Sequence, residues 1–549
     1  MEPNLILTGF MGTGKTSVGR AIAERLGRPF VDTDDWIAAR AGKPVRVIFE
    51  EEGEDRFRAW EAEACGELSE PRGLVIATGG WTLGQARNRE AIECGGRVIC
   101  LFAAMEAILA RLSDAVNRPV LVGDDRGASL QALLSRREPT YRSFAWQVDT
   151  TRLSVAETAR HALSLWDAIR QIDEPDALYL PMPNTTWSGG TTIVLGAGLA
   201  DIAGPLLSAR GLRGRVALIT DSNVGPLHGD KVARSLTRAG FEPAALHVPA
   251  GEASKSLDAA AALYQALAAA RIERDDVIVA LGGGMIGDLA GFVAATYLRG
   301  LRWVCVPTSL LAMVDASVGG KVGVDLPAGK NLVGAFHSPL LTIGDLDSLS
   351  TLPAVEFRSG LAEVIKAGLI ADPGLFDTLE AGWTDLREVI RRALRVKVDL
   401  VRADPFETGR RAALNLGHTV GHGIEAASRY AIRHGEAVAI GLVAEAKIAE
   451  RIGLAAPGLS ERIEAVVCRV DLPARYRDLD PESIWAMMRS DKKRQAGRLR
   501  FTLPRGMGDV VIGVDVEDEV ARSVLSEMRH PRRRQSTLSR VEGPPGTAA

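Results

Sequence analysis

The chain is 549 residues long, 46% hydrophobic and 25% charged, with a net charge of −3. This is the make-up of globular protein with a sizeable core, at roughly three to four domains of about 150 residues each, and it leaves no basic field for nucleic acid or an anionic membrane. Five scattered cysteines (Cys65, Cys94, Cys100, Cys305, Cys468), with no C-x-x-C pair, argue against a disulfide frame or a zinc ribbon and for a reducing compartment.

The first apolar strand begins at residue 4, so no signal peptide is expected, and no apolar run reaches the ~18 residues of a membrane span. A cytoplasmic location is therefore expected. That strand runs into Gly9-Phe-Met-Gly12-Thr-Gly14-Lys15-Thr16, and an amphipathic stretch follows over 18–26. The order strand, G-x-x-x-x-G-K-T, helix is a phosphate cradle. Gly12 and Gly14 let backbone N–H groups converge on anionic oxygens, Lys15 adds a charge, and Thr16 offers a hydroxyl to Mg²⁺. Further strands are expected at 30–31, 74–77 and 97–102, alternating with helical stretches. This is the α/β pattern of a parallel sheet with helices on both faces.

Five pieces of this half carry polar chemistry. Period-two spacing places Asp32 and Asp34 on one face at a strand end, where two carboxylates beside a phosphate cradle can hold Mg²⁺ water or a substrate hydroxyl. Arg58 and Glu61 are three apart on a helical stretch and share a face. Ala77-Thr78-Gly79-Gly80 ends a strand and allows close approach to a small ligand. Asn117-Arg118-Pro119-Val120 lies in a segment suited to a lid, and Arg137-x-Pro139-x-Tyr141 follows it.

Over about 165 residues these motifs resemble shikimate kinase. The resemblance implies Lys15 and Thr16 on ATP and Mg²⁺, Asp32 near the metal, and Asp34 accepting the substrate hydroxyl's hydrogen bond. It implies that Arg58 and Arg137 clamp the shikimate carboxylate, that Gly79 and Gly80 line the ring, and that Arg118 closes over the phosphates. One position departs: the family carries a third glycine where this chain has Trp81. The indole is expected to crowd or cap the acceptor site and to leave phosphate chemistry alone.

Proline-bearing segments at 173–176 and 181–184 read as a linker, and the halves on either side are expected to fold independently. A second α/β series is expected to start near Thr191, with strands at 192–195, 216–220, 277–281 and 303–306. After about residue 350 the strand signals fade, and helical periodicity takes over at 386–401 and 437–451. The polar tail from Pro531 reads as disordered.

In this second half, the strand over 277–281 meets Gly282-Gly283-Gly284 and then a helix containing Gly287-Asp288, an arrangement that brings a dinucleotide pyrophosphate to a helix N-terminus. Lys321 and Lys330 among glycines suit an anionic, phosphorylated substrate. Three histidines fall close together: His418 and His422 at i, i+4, then His434. No H-E-x-x-H is present, which disfavours a metalloprotease. Glu363 and Lys366 share a face of an otherwise apolar helix, where charge is costly unless used. A Glu with two His makes a three-ligand zinc site with an open position.

Residues of about 176–520 resemble 3-dehydroquinate synthase, with its motifs in order. The resemblance implies NAD and a divalent metal, zinc or cobalt, held by Glu363, His418 and His434. It implies NAD contacts from Asp221, Asn223, Glu252, Lys255, Gly283, Gly284, Asp288, Thr308 and Asp315. Lys321, Asn331, Asn415, His422 and Lys492 would surround the substrate phosphate, with Arg299 joining from a partner subunit. Lys397 and Arg411 would take the carboxylate, and Lys366 the ring hydroxyls. Lys15, Asp34, Lys366 and His422 are then the residues expected to do chemistry.

The expected organisation is a kinase domain over 1–172, an NAD-binding α/β domain over 176–348, a mostly helical metal and substrate domain over 349–520, and a disordered tail over 521–549. The expected protein is a bifunctional enzyme of aromatic amino-acid synthesis, a homodimer through its second half, with small-molecule substrates and neither nucleic acid nor membrane as partner. The alternative is another small-alcohol kinase joined to a metal-dependent polyol dehydrogenase.

Overall fold

The structure is a computed structural model that describes residues 2–113, 126–170, 172–182, 190–490, 494–495 and 498–530. Arg118, Lys492 and Lys493 lie outside the described residues, as does the tail from residue 531.

Among the described residues, the first half is a five-stranded parallel sheet in the order Phe30–Asp32, Val75–Ala77, Asn4–Thr8, Gly96–Phe102, Trp146–Asp149. The central strand Asn4–Thr8 is buried throughout, so it reads as a continuous apolar run. Its carboxyl end opens into the glycine loop, and the helix Lys15–Leu26 follows. That helix stops at Gly27, whose left-handed backbone (φ 62°) turns its N–H back onto the Ala23 and Glu24 carbonyls. The predicted strands are found within a residue or so at each end. The strand Trp146–Asp149 escaped sequence reading because four residues give too short a pattern.

The second sheet has seven strands, in the order Asp176–Leu180, Thr191–Gly196, Leu341–Asp345, Arg302–Pro307, Val277–Gly282, Arg215–Asp221, Glu242–Val248. All pairs are parallel except the first, Asp176–Leu180 with Thr191–Gly196. The stretch expected to be a linker therefore contains an edge strand. Tyr179 and Leu180 of that strand are buried, which outweighs the flanking prolines. A hairpin, Lys321–Leu326 with Gly329–Phe336, carries the lysine-bearing glycine segments.

Nor are the halves separated as expected. The helix Val155–Ile169 starts with a capping box between Ser154 and Glu157 and buries Ala162, Leu165, Trp166 and Ile169, a stripe at helical spacing. These residues join one apolar core with Leu199, Leu206 and Leu207 of the second half. Ser208 Oγ and His161 Nδ1 lie 3.0 Å apart across the same contact. The physical reason is that this helix is apolar on one face, and the helix Ala203–Ala209 covers it.

Two compact units divide at Leu414 and Asn415. The helices Ala354–Ala371 and Leu386–Ala403 belong to the first unit. The second unit holds the helices His418–Ala427, His434–Arg451, Leu459–Arg469 and Pro481–Ser490. It also contains an antiparallel pair, Arg498–Gly506 with Asp509–Asp515, where strand signals were expected to have faded. Pro504, Gly506, Gly508 and Gly513 interrupt the alternation that would have announced it. The boundary expected at residue 521 falls inside the helix Asp518–Glu527, whose Ala521, Val524 and Leu525 are buried. Among the described residues, no helix is long and apolar enough to cross a membrane.

The shared core generates a prediction. Leu207→Ala, made in the second half, should cost about 2–5 kcal/mol and lower the temperature at which kinase activity is lost on heating. Full retention of kinase heat resistance, with only the second half weakened, would show that the contact carries no cooperativity.

Candidate active sites

The glycine loop depends on backbone that other residues adopt poorly. Gly9 (φ 136°), Gly12 (φ 79°) and Gly14 (φ 93°) all have positive φ, and a Cβ on Gly9 would sit 2.1 Å from the Leu101 carbonyl oxygen. Lys15 Nζ donates to the carbonyls of Gly9 (2.9 Å) and Phe10 (3.2 Å), which folds its ammonium over the loop. Thr16 Oγ1 donates to Asp32 Oδ2 at 2.8 Å, so the hydroxyl and carboxylate expected at Mg²⁺ meet directly.

The expectation that Asp32 and Asp34 share a strand face is corrected. The strand ends at Asp32, which caps the helix Thr33–Ala41 by accepting the Asp34 N–H at 3.1 Å. Asp34 therefore sits in the first helical turn, held near Asp32 by capping and not by strand alternation.

Around Asp34 the acceptor wall is tight. A Cβ on Gly79 would lie 3.0 Å from Asp34 Oδ1 and 3.1 Å from Glu61 Oε1. Glu61 is 1% exposed and accepts from Arg58 (2.7 Å) and from the Thr82 hydroxyl. Sequence reading paired Glu61 with Arg58 but gave it no site role; its burial decides that it fixes the arginine. Arg58 is thereby held above its ordinary range: burial opposes its charge, and the bonds to Glu61 and Glu54 prevail. Arg137 packs over the Trp81 ring at 4.6 Å, and the Tyr141 hydroxyl donates to the Gly80 carbonyl.

In the seven-stranded sheet, Val277–Gly282 ends in the glycine turn, and the helix Gly284–Thr296 begins behind Gly283. A cavity there is lined by Gly283, Gly284, Asp288 and Lys321, among others. Lys255 Nζ donates to Asp288 Oδ2 and Asn331 Oδ1, both at 2.5 Å. Asn331, read as a phosphate contact, thus stands with two residues read as dinucleotide contacts. Its φ of 55° and the bond from its N–H to Asp325 Oδ1 (2.7 Å) fix its position. Asp221 Oδ1 accepts the Asn223 and Val224 N–H groups at 2.8 and 2.9 Å, closing the turn after its strand. Glu252 pairs with Lys330 at 3.4 Å, and Lys321 with Glu407. The Thr308 N–H donates to the Gly282 carbonyl at 2.9 Å.

A buried charged group lies beside this sheet. The helix Ala354–Ala371 approaches closely because Gly360 has no side chain; a Cβ there would meet Leu310 at 2.7 Å. This brings in Glu363 and Lys366, which form an ion pair. Lys397 Nζ donates to Asp315 Oδ1 at 2.5 Å. Burial opposes the charge on Lys366, but Glu363 and Asp315 hold its ammonium above the usual lysine range. Burial likewise opposes the Asp315 charge, and Lys397 and Lys366 hold its carboxyl below the usual range. Arg411, 2% exposed, donates to the Pro405 and Gly319 carbonyls, and Asp404 accepts its N–H at 3.0 Å. Arg299 stands exposed on a turn, with φ of 68°.

The second unit clusters the histidines. His418 opens the helix His418–Ala427 behind Gly417, and His434 opens His434–Arg451. The helices cross at glycine: a Cβ on Gly441 would lie 2.0 Å from the Gly417 carbonyl oxygen. The rings of His418 and His422 are 5.2 Å apart, and those of His418 and His434 5.3 Å. Glu425, buried and absent from the sequence-predicted set, holds His434 through a 3.2 Å contact of Oε2 with Nδ1. Its i, i+3 spacing from His422 was the available signal. Donor atoms of His422, Glu425 and His434 lie within 4.8 Å of one another. Glu445 is fully buried and accepts the N–H groups of Gly417 (2.5 Å) and Val420 (3.1 Å), anchoring the turn that carries His418.

Comparison with known proteins bears on both sites. Residues 245–359 match the family model for the 3-dehydroquinate synthase N-terminal region, and 360–494 that for its C-terminal region. The chain is 45% identical over 348 residues to the 3-dehydroquinate synthase of Symbiobacterium thermophilum, covering 97% of that protein and 61% of this one. The chain belongs to the 3-dehydroquinate synthase family. Residues 11–166 match the shikimate kinase family model, so a kinase domain of that family precedes the synthase. The synthase part is also similar to a solved 2-epi-5-epi-valiolone synthase from Streptomyces hygroscopicus subsp. jinggangensis 5008 with bound NAD⁺ and Zn²⁺. That match has a TM-score of 0.57 at 30% identity over 61% of this chain and 96% of the other. A 2-deoxy-scyllo-inosose synthase complexed with carbaglucose-6-phosphate, NAD⁺ and Co²⁺ matches with a TM-score of 0.58 at 25% identity, over 64% and 99%. The chain thus joins a phosphotransferase and a lyase of the shikimate pathway.

Glu445→Ala would leave the Gly417 and Val420 N–H groups buried without their acceptor, at a cost of about 1–3 kcal/mol each. The urea midpoint should fall and bound zinc should be lost with it. A variant with parental stability and metal content would show that Glu445 does not anchor His418.

Proposed function

We propose that the kinase domain phosphorylates the 3-hydroxyl of shikimate from ATP, and that the synthase converts 3-deoxy-D-arabino-heptulosonate 7-phosphate to 3-dehydroquinate and phosphate. The observation that carries the second assignment is near-complete coverage of a dehydroquinate synthase at 45% identity, against 30% and 25% for the valiolone and inosose synthases. For the first it is the kinase family match together with the Arg58–Glu61 pair beside Asp34.

In the kinase, Lys15 is held over the loop with its charge already in place for phosphate oxygens, and Gly12 and Gly14 contribute the cradle. Thr16 and Asp32 hold Mg²⁺, and Asp34 accepts the acceptor hydroxyl's hydrogen bond. Arg58 and Arg137 bind the carboxylate, and Gly79 and Gly80 line the ring. Arg118 is assigned the lid by family likeness. Transfer then needs positioning and charge neutralisation more than covalent work.

In the synthase, Glu363, His418 and His434 hold a divalent metal, zinc or cobalt; one carboxylate with two imidazoles is a donor set that suits both. The glycine turn at the head of Gly284–Thr296 fits NAD⁺, with Asp221, Asn223, Glu252, Lys255, Asp288, Thr308 and Asp315 around it. A metal held there would supply polarisation of a ring hydroxyl, and NAD⁺ would supply reversible hydride chemistry. Lys366, kept charged by Glu363 and Asp315, donates to the ring hydroxyls. Lys397 and Arg411 take the carboxylate. By family likeness, Lys321, Asn331, Asn415, His422 and Lys492 surround the phosphate, the lysines offsetting its charge and the asparagines donating hydrogen bonds, and His422 is assigned to move its proton. By family likeness we assign Arg299, which is exposed, to a neighbouring protomer's site in a homodimer. We further assign the enzyme to the cytoplasm.

A chelator should abolish phosphate release from the heptulosonate phosphate, and zinc or cobalt should restore it, while ADP formation with shikimate in excess Mg²⁺ continues. Glu363→Ala, His418→Ala and His434→Ala should each lose stoichiometric zinc, and His422→Ala should keep it; zinc lost from His422→Ala but retained by His418→Ala would move the site to His422, Glu425 and His434. Lys15→Met should slow the kinase on the order of 10³-fold and leave the synthase within about twofold, with Lys366→Met doing the reverse. One substitution silencing both reactions in folded protein would refute two separate sites.

A further inference from the structure

Trp81 stands where the shikimate kinase pattern has a third glycine, and its seat is built. A Cβ on Gly84 would lie 2.3 Å from the indole, so the absence of a side chain at 84 makes room for the ring. The Arg137 guanidinium carbon lies 4.6 Å from the Trp81 ring centroid. The indole also meets the edge of Tyr141, at 5.8 Å and 84°. Tyr141 is itself anchored, with its hydroxyl on the Gly80 carbonyl and its ring against Phe10 at 6.1 Å. Arg137 and Tyr141 are i and i+4 on the helix Arg126–Arg142, so one face of that helix grips the indole at two points.

These contacts have a physical consequence. A long arginine side chain at a pocket rim loses rotamer entropy when it must meet an anion in one orientation. A ring face beneath its guanidinium removes part of that loss beforehand, and the quadrupole favours the cation. With the ring face against it and a hydrogen bond to the Tyr141 side chain, the guanidinium is held while its remaining N–H groups are left for a carboxylate.

We propose that Trp81 is a positioning residue that presents Arg137 to the acceptor's carboxylate, with Gly84 as the position that admits it. The role belongs to this chain's own departure from the three-glycine pattern, and it rests on the shikimate reading of the kinase site. Trp81 contributes to acceptor affinity and anion selectivity, and not to phosphoryl transfer.

Steady-state kinetics on the full chain test this, with shikimate and shikimate methyl ester as acceptors. Trp81→Leu keeps an apolar side chain but removes the π face, and its KM for shikimate should rise about tenfold, within the range a cation–π contact supplies. The KM for ATP should stay within about twofold, and the KM for the neutral ester should hardly change. Trp81→Phe should recover most of the loss, and Gly84→Ala, which touches neither partner but displaces the ring, should reproduce it. Thermal melts identify any variant whose kinetics reflect misfolding. A parental KM for shikimate in both Trp81→Leu and Gly84→Ala, or equal losses for shikimate and ester, overturns the proposal while leaving the kinase assignment intact. A parent that does not phosphorylate shikimate overturns both.

Discussion

Close approach to a backbone that carries no side chain, which only glycine permits, is the constraint on which both catalytic regions rest. A Cβ on Gly9 would collide with the Leu101 carbonyl, and one on Gly79 would crowd Thr82, Asp34 and Glu61. Gly360 lets a charged helix lie against Leu310, and Gly441 lets two histidine-bearing helices cross at Gly417. In each case the element brought close carries the side chains proposed for chemistry. Adding a methyl group at these points would move whole elements and not single residues, because packed interiors have no slack to absorb it.

Charge is the second organising feature. Lys366 and Glu363 are removed from water and pair with one another, and the half-buried Asp315 and Lys397 pair beside them. An ion pair of this kind contributes little net stability, since desolvation offsets much of the attraction. Its effect is to hold these groups in defined places and to favour the charged forms of Lys366 and Asp315. The kinase uses the same device with Glu61, which keeps Arg58 oriented by being buried itself. Glu425 and Glu445 do so for the histidine cluster, one through an imidazole and one through backbone N–H groups.

The two enzymatic halves are also less separable than their chemistry implies. Their sites use different nucleotides and different substrates, yet the helix Val155–Ile169 of the kinase and the helix Ala203–Ala209 of the synthase fill one core. Burial of Trp166, Leu206 and Leu207 together removes apolar surface that either half alone would leave in water. Covalent fusion has here become a packed interface, so stability can be shared where catalysis is not.

By itself the sequence determined the kinds of chemistry and their order along the chain. Phosphate cradles and glycine turns are local, since a strand, a few glycines and a helix start suffice, and Gly9 to Thr16 and Gly282 to Asp288 display them in full. The histidine group and the Glu363–Lys366 helix were legible for the same reason. Tertiary structure decided what local pattern cannot carry. It placed Asp34 in a helix behind its Asp32 cap, and it set Asn331 on Lys255 and Lys397 on Asp315. It made an edge strand of a proline-flanked segment and turned an indole into a platform for Arg137. These outcomes depend on which distant elements meet and how closely, and that is set by burial and packing across the fold, to which residue spacing along one segment is blind.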